Sequence, residues 1–201
     1  MLCTTEGLGP KSVSLKAAAT PVRKGPALET ARLTLRPLQA ADAARIAALA
    51  CDSGLARMTG SIPHPYSRSA AEAFVAGAAA ADLNRDVVFA IDGEDGDLVG
   101  TLGFSLKDGA HRTDLAPELG YWLGRPYWGR GYMTEAVNGA LDWVRDEWGK
   151  RYVMAGHFVD NPRSGQVLIN AGFLYTGEVR STPSKARGGE AVATRMMVWL
   201  A

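Results

Sequence analysis

The run Glu118-Leu-Gly-Tyr-Trp-Leu-Gly-Arg-Pro-Tyr-Trp-Gly-Arg-Gly-Tyr-Met-Thr-Glu135 carries most of the chemistry that can be read from this chain. A stretch that reads as a strand ends in a loop holding Gly129 and Gly131, and an amphipathic pattern begins immediately afterwards. Glycine lets the backbone turn several N–H groups into one concavity and lets a ligand approach closely, while a helix N-terminus adds partial positive charge. Such a loop suits a pyrophosphate. Arg125 and Arg130 could add charge to it. Taken alone, the same glycines also fit an ordinary tight turn between a strand and a helix.

Downstream, Asn161-Pro-Arg-Ser164 and Leu168 are followed by Gly172-Phe173. The two motifs, at this separation and in a strand-helix-strand-helix context, resemble the GNAT superfamily of N-acetyltransferases. Trp128-Gly-Arg-Gly-Tyr-Met-Thr-Glu-Ala136 resembles its branch of ribosomal-protein acetyltransferases, RimJ and RimL. Ile62-Pro-His-Pro-Tyr66 and Leu33-Thr-Leu-Arg-Pro-Leu38 are similar to that branch too, so the resemblance covers roughly residues 28 to 200. One position departs from the pattern. The superfamily places Gln or Arg three residues before the first glycine, and here Pro126 stands there with Arg125 one step earlier, a departure that leaves Arg125's contact open and the cradle untouched.

The resemblance implies acetyl-CoA as co-substrate, no metal, and direct attack by a primary amine without a covalent enzyme intermediate. It implies a cofactor cradle from Trp128, Gly129, Arg130, Gly131, Tyr132, Met133 and Thr134, with backbone amides of Gly129 to Thr134 on the pyrophosphate. The strand edge Tyr121-Trp122-Leu123 would pair with the pantetheine arm, and Asn161 and Ser164 would complete the set. The thioester would lie where that strand and the strand Tyr152 to Val159 splay apart, with a backbone N–H on the developing oxyanion. Ser164 is the candidate donor to the leaving thiolate, and Glu118 and His157 are the candidate bases. Each also has a plain structural reading: Asn161 as a helix cap, Ser164 as a first-turn residue and His157 as a packed histidine. Glu135 fits the helix dipole whatever the function. Tyr127, Trp128 and Tyr132 either shield the cofactor loop or pack, and His64 with Tyr66 either line the acceptor cleft or fix a proline-rich loop.

With no unambiguous base visible, a protein N-terminal α-amine is the favoured acceptor, since its pKa near ~7.7 to 8.0 leaves it partly neutral where a lysine near ~10.4 is not. A small-molecule amine of antibiotic or polyamine type is the alternative. A non-catalytic CoA-binding module is a third reading, against which Gly129, Gly131, Asn161 and Ser164 all stand. A dinucleotide enzyme is disfavoured, because no earlier glycine of that fingerprint precedes Gly129 and no acidic residue ends a second strand.

These residues need a scaffold, and the hydrophobic pattern supplies one. Leu33, Leu35 and Leu38 alternate with polar residues as in a half-buried strand ending at Pro37. Ala40 to Ala50 and Ser69 to Leu83, opened by Ser69, read as helices, separated by a loop at Ile62 to Tyr66 where two prolines forbid helix. Val87 to Ile91 and Leu98 to Leu106 form a hairpin about the Asp92 to Asp97 turn, and Leu115 to Leu123 follows as a third strand. Met133, Ala136, Val137, Ala140, Leu141, Val144 and Trp148 make one helical stripe. After the strand Tyr152 to Val159, Asn161, Pro162 and Gly172 bound another helix. Phe173 to Val179 and Ala191 to Leu200 close the chain as strands, joined by a polar and mobile-looking Ser181 to Glu190. The expected fold is an α/β (α+β) domain, residues 28–201. The resemblance makes it a GNAT-like mixed sheet of about seven strands, splayed between the fourth and fifth, with about four helices.

Bulk properties agree with a single domain: 201 residues are 47% hydrophobic, and 22 basic against 21 acidic residues leave a formal charge of +1. No global field recruits nucleic acid or an anionic membrane, so an anionic ligand must be held locally. Cys3 and Cys51 make no disulfide framework, the longest apolar run is far short of the ~20 residues of a membrane span, and residues 1–27 read as a disordered tail without a signal core. A cytoplasmic protein is expected. A homodimer is compatible with the resemblance, while the sequence itself is silent on oligomeric state.

Overall fold

A computed structural model describes residues 25–106 and 116–201; the expected tail falls outside the described residues except at 25–27, as does Leu115. Among the described residues eight strands form one sheet: β1 (Leu28–Glu29), β2 (Thr34–Pro37), β3 (Asp86–Asp92), β4 (Leu98–Leu106), β5 (Pro117–Leu123), β6 (Tyr152–Phe158), β7 (Leu174–Ser184) and β8 (Glu190–Leu200). Their order is β1-β2-β3-β4-β5-β6-β8-β7. Every pairing is antiparallel except β5 with β6. Five α-helices accompany them in the described residues: α1 (Asp42–Ala50), α2 (Ser53–Ala56), α3 (Arg68–Ala80), α4 (Tyr132–Asp146) and α5 (Pro162–Asn170).

The two elements beyond the expected count are the shortest. β1 is two residues held on β2, and α2 is a single turn opened by Asp52, whose carboxylate accepts from the Leu55 N–H. Neither is long enough to show a hydrophobic period. The helix expected from Ser69 starts instead at Arg68, because Ser67 is extended (ψ 160°) and its hydroxyl accepts from the Ala70 N–H.

Helices cover both faces. Leu102, Phe104, Leu119 and Val153 pack with Met133, Ala136, Val137, Ala140 and Val144 of α4 and Leu168 of α5 in the main core. A smaller cluster joins Ala43 and Ile46 of α1 to Ala71 and Val75 of α3 over Ala90 and Leu98. The stripe read on α4 is buried as its spacing requires, and Trp148, just past the helix end, stacks on Trp143 at 5.4 Å. Arg36 ties β2 to both α1 and β3, donating to Asp42 (2.9 Å) and Asp92 (2.6 Å) in a half-buried pocket.

The connection expected to be polar and mobile is instead the tip of a long hairpin. β7 runs on to Ser184 and β8 starts at Glu190, so only a 3-10 turn, Lys185–Arg187, and two left-handed glycines, Gly188 and Gly189, separate them. The tip is pinned to the segment before the proline-rich loop: Ser184 Oγ donates to the Thr59 carbonyl and the Lys185 N–H to the Gly60 carbonyl. Alternation at exposed edge positions leaves no apolar signature, so the extension is invisible in the pattern.

Candidate active site

The sheet opens in its middle. β5 and β6 run parallel but pair only through Glu118 with Met154 and Leu119 with Ala155. Beyond those pairs, Gly120 to Leu123 stay on β4 while Gly156 to Phe158 stay on β8, so the two strands diverge and leave a wedge between them. Glu118 stands at the closed end of the wedge and the glycine loop follows its open end.

That loop has the conformation its composition allows. Gly129 (φ 75°) and Gly131 (φ 78°) are both left-handed, a region that other L-residues enter at a cost of roughly 1–2 kcal/mol. Gly131 occupies the N-cap position of α4, where no side chain caps the helix. Among the described residues, no acceptor takes the backbone N–H of any residue from Gly129 to Thr134. These are donors without internal partners at the positive end of a 15-residue helix. A Cβ built on Gly129 would meet nothing within 4 Å, so the concavity is open there. Tyr132 and Met133 are buried (5% and 6% exposed), so they offer the loop their backbone alone.

Three arginines surround the loop. Arg125 is committed to Asp52 (Nε–Oδ2 2.8 Å), which raises the guanidinium pKa and lowers that of the carboxyl. Arg125 and Arg163 both lie over the Trp128 ring, with Cζ 5.2 and 5.8 Å from its centroid, and Arg130 lies over Tyr127. Among the described residues neither Arg130 nor Arg163 has a carboxylate partner. Trp128 itself folds back on β5, donating from Nε1 to the Leu123 carbonyl at 2.7 Å. Six free donors and two arginines without a carboxylate are the right chemistry for phosphate oxygens.

On the far side of the wedge, Asn161 opens α5 and accepts from the Ser164 N–H at 3.3 Å, with Pro162 at the first position. Tyr121 shares a face with Leu119 and Leu123, and its hydroxyl reaches across to Ser164, 2.9 Å from Oγ and 3.1 Å from the carbonyl oxygen to which it donates. Burial pushes the Tyr121 phenol up to about 12, the bond with Ser164 offsetting part of the shift, so it stays protonated at neutral pH. Only the backbone of Tyr121 is implicated by the sequence. Its alternation with Leu119 and Leu123 was the one signal that its side chain turns toward the helices.

The two candidate bases lie on opposite faces. His157 follows Val153 and Ala155 onto the α4–α5 side, is 5% exposed, and has both nitrogens engaged. Nδ1 donates to the Phe158 carbonyl at 2.9 Å, and Nε2 accepts from the Tyr175 hydroxyl at 3.0 Å. Glu118 alternates with Leu119 onto the other side with Trp122, which packs against the α1–α3 cluster. Tyr66 and Ile62 join Trp122 and Ala186 there, so the proline-rich loop and the hairpin tip wall the same side. Arg187 closes the end of that wall, donating to the Arg57 carbonyl (2.8 Å), pairing with Asp160 (2.8 Å) and covering the Phe158 ring. No sequence signal pointed to this last contact.

The sequence from residue 32 to 174 matches the acetyltransferase (GNAT) domain family. The chain belongs to that family. A relative from Bacillus subtilis, an uncharacterized N-acetyltransferase YoaA, is 28% identical over 156 residues, 77% of this chain and 86% of its own. The ribosomal-protein-serine acetyltransferase of Escherichia coli is 30% identical over 90 residues, 45% and 48% of the two chains. Among solved structures, RimL, a ribosomal L7/L12 alpha-N-protein acetyltransferase in complex with coenzyme A, superposes with a TM-score of 0.73 at 17% identity, over 87% and 98% of the chains. A spermidine N-acetyltransferase from Vibrio cholerae, in complex with CoA and spermine, gives 0.68 at 20% identity over 84% and 95%. This GNAT domain is an acetyl-CoA-dependent N-acetyltransferase. The donors of the glycine loop fit the anionic co-substrate. No helix of the described residues is long and apolar enough to cross a membrane.

Proposed function

We propose that this acetyltransferase modifies protein N-terminal α-amines, with the glycine loop on the pyrophosphate and the acetyl group in the wedge between β5 and β6. The observation that carries the acceptor class is the state of the carboxylates beyond the wedge. Asp52 and Asp160 follow close on the strand ends in space, and each is already paired with an arginine. A polyamine would require such groups to be available, whereas a single α-amine needs only one proton acceptor.

In this reading the amine nitrogen attacks the thioester carbonyl carbon, and a backbone N–H at the free edge of Gly120 to Leu123 receives the oxyanion. The carbon–sulfur bond then breaks and the electron pair leaves with sulfur. Ser164 Oγ rests with its proton on Tyr121 Oη, which itself donates to the Ser164 carbonyl, and turns that proton to the departing thiolate in a hydrogen bond. Glu118, at the closed end of the wedge, takes the proton lost by the amine, through water. His157, held by Phe158 and Tyr175, positions β6 against α5.

The test is amine-dependent thiol release from acetyl-CoA with a panel of N-terminal peptides, polyamines and small amines. The reading requires kcat/KM to be highest for peptides. Preference for spermidine or a small amine would overturn the acceptor class, and binding without turnover would overturn the catalytic reading altogether.

A further inference from the structure

We infer that Arg32 and Glu135, which lie 103 positions apart, form a tether that sets the geometry of the phosphate cradle from outside it. The inference rests on the cradle reading above. Glu135, in the first turn of α4, receives three donors from one short segment between β1 and β2. Thr30 Oγ1 donates to Oε1 at 2.6 Å, the Arg32 N–H to Oε1 at 2.7 Å, and Arg32 Nε to Oε2 at 2.8 Å. The segment docks on α4 at a second level, where Gly139 makes room for Thr30: a Cβ there would come within 2.8 Å of the Thr30 methyl.

Held this way, the Arg32 guanidinium lies over the Tyr132 ring at 4.8 Å, and Nη1 donates to the Arg130 carbonyl at 3.1 Å. In a planar trans peptide the C=O and the next N–H point in opposite directions. Fixing the Arg130 carbonyl on Arg32 therefore fixes the Gly131 N–H, turned away from Arg32. Gly131 needs that constraint, since glycine holds a left-handed conformation no more firmly than its mirror image. Glu135 is the anchor, Arg32 the arm, and the Arg130–Gly131 peptide the part positioned.

A positioning role and a simple charge effect predict opposite signs at one residue. Removing Glu135 takes a negative charge away from an anion site, which by Coulomb's law alone strengthens binding. Loss of the tether weakens it. Affinity for coenzyme A is measured calorimetrically for the full chain, Arg32→Ala, Arg32→Lys and Glu135→Ala, the last keeping a good helix former in α4. Turnover of S-acetylpantetheine, which has no pyrophosphate, is followed in parallel with the melting temperature. Arg32→Ala and Glu135→Ala are each expected to weaken coenzyme A by about 10-fold, with S-acetylpantetheine kcat/KM within about 2-fold of the parent. Arg32→Lys falls between, because one ammonium cannot serve the carboxylate and the carbonyl together. Tighter binding by Glu135→Ala would overturn the tether in favour of charge alone. Parallel losses in coenzyme A affinity and in S-acetylpantetheine turnover would reduce the network to general stability. Failure of the parent protein itself to bind coenzyme A would instead remove the cradle, and the tether with it.

Discussion

The Tyr121 hydroxyl lies 2.9 Å from Ser164 Oγ, joining the strand on one side of the wedge to the first turn of the helix on the other. Neither residue is near the other in sequence, and each supplies what the other lacks: a phenol that stays protonated and an aliphatic hydroxyl that needs orienting. Ser164→Ala and Tyr121→Phe are each expected to lower kcat by about 10-fold to 100-fold while leaving acetyl-CoA affinity near that of the parent. Because the two groups act on one proton, the double variant loses little more than the worse single one. Single-turnover rates check this. Additive losses, or a normal kcat in Ser164→Ala, would take the pair off the reaction path.

The glycine loop makes a separate prediction. Gly129→Val and Gly131→Val place a β-branched residue at φ 75° and 78°, where the backbone penalty of roughly 1–2 kcal/mol alone amounts to about 10-fold in affinity. Crowding within the chain is not the cause, since the nearest atom to a new Cβ at Gly131 is Arg32 Nη2 at 3.4 Å. Calorimetry with acetyl-CoA on the folded variants decides it. Undiminished binding by the double variant would defeat the cradle assignment.

Glu118→Gln is expected to lower turnover far more than acetyl-CoA binding, because the carboxylate stands at the closed end of the wedge and the phosphate donors follow its open end. A loss of about 10-fold or more in kcat with unchanged affinity fits a general base. An equal loss in both would place Glu118 among the groups that shape the wedge.

Acid stability should report on Glu135. Burial opposes its ionisation, but the bonds from Thr30 and Arg32 outweigh burial and hold the carboxyl below the usual glutamate range. A depressed folded pKa contributes stability above the unfolded value, about 4.3, and that contribution vanishes as pH falls through the folded one. Melting curves of the parent and Glu135→Gln should therefore differ most near neutrality, begin to approach each other near the unfolded value of about 4.3, and converge as pH falls through the lower folded one. A gap independent of pH would mean that the ionised pair adds nothing.

Gly165 tests the contact between α5 and His157. A Cβ there would come within 2.9 Å of Cε1 and Nε2 of the ring and 3.2 Å of the Tyr175 hydroxyl. Gly165→Ala is expected to cost about 1–3 kcal/mol, seen as a drop of several degrees in melting temperature. Adding His157→Ala should recover part of the loss, and a wholly additive double variant would show that the ring and helix do not press on each other.

By itself the sequence determined the elements with a clear period and a clear boundary. The α4 stripe, the capped α5 and the hairpin about Asp92 to Asp97 all follow from local spacing, and the glycine loop is identifiable because only glycine fills two left-handed positions so close together. The wedge was legible only through family resemblance. What the tertiary structure decided is everything that depends on which strand faces which: that Glu118 and His157 occupy opposite faces, that the Tyr121 side chain meets Ser164, and that β7 and β8 extend into a pinned tip. The same holds for the tether, in which Arg32 reaches a helix more than a hundred positions away. Periodicity records burial along one element, whereas a contact between distant elements depends on sheet order and strand parity, and a one-residue slip reverses every side chain it touches.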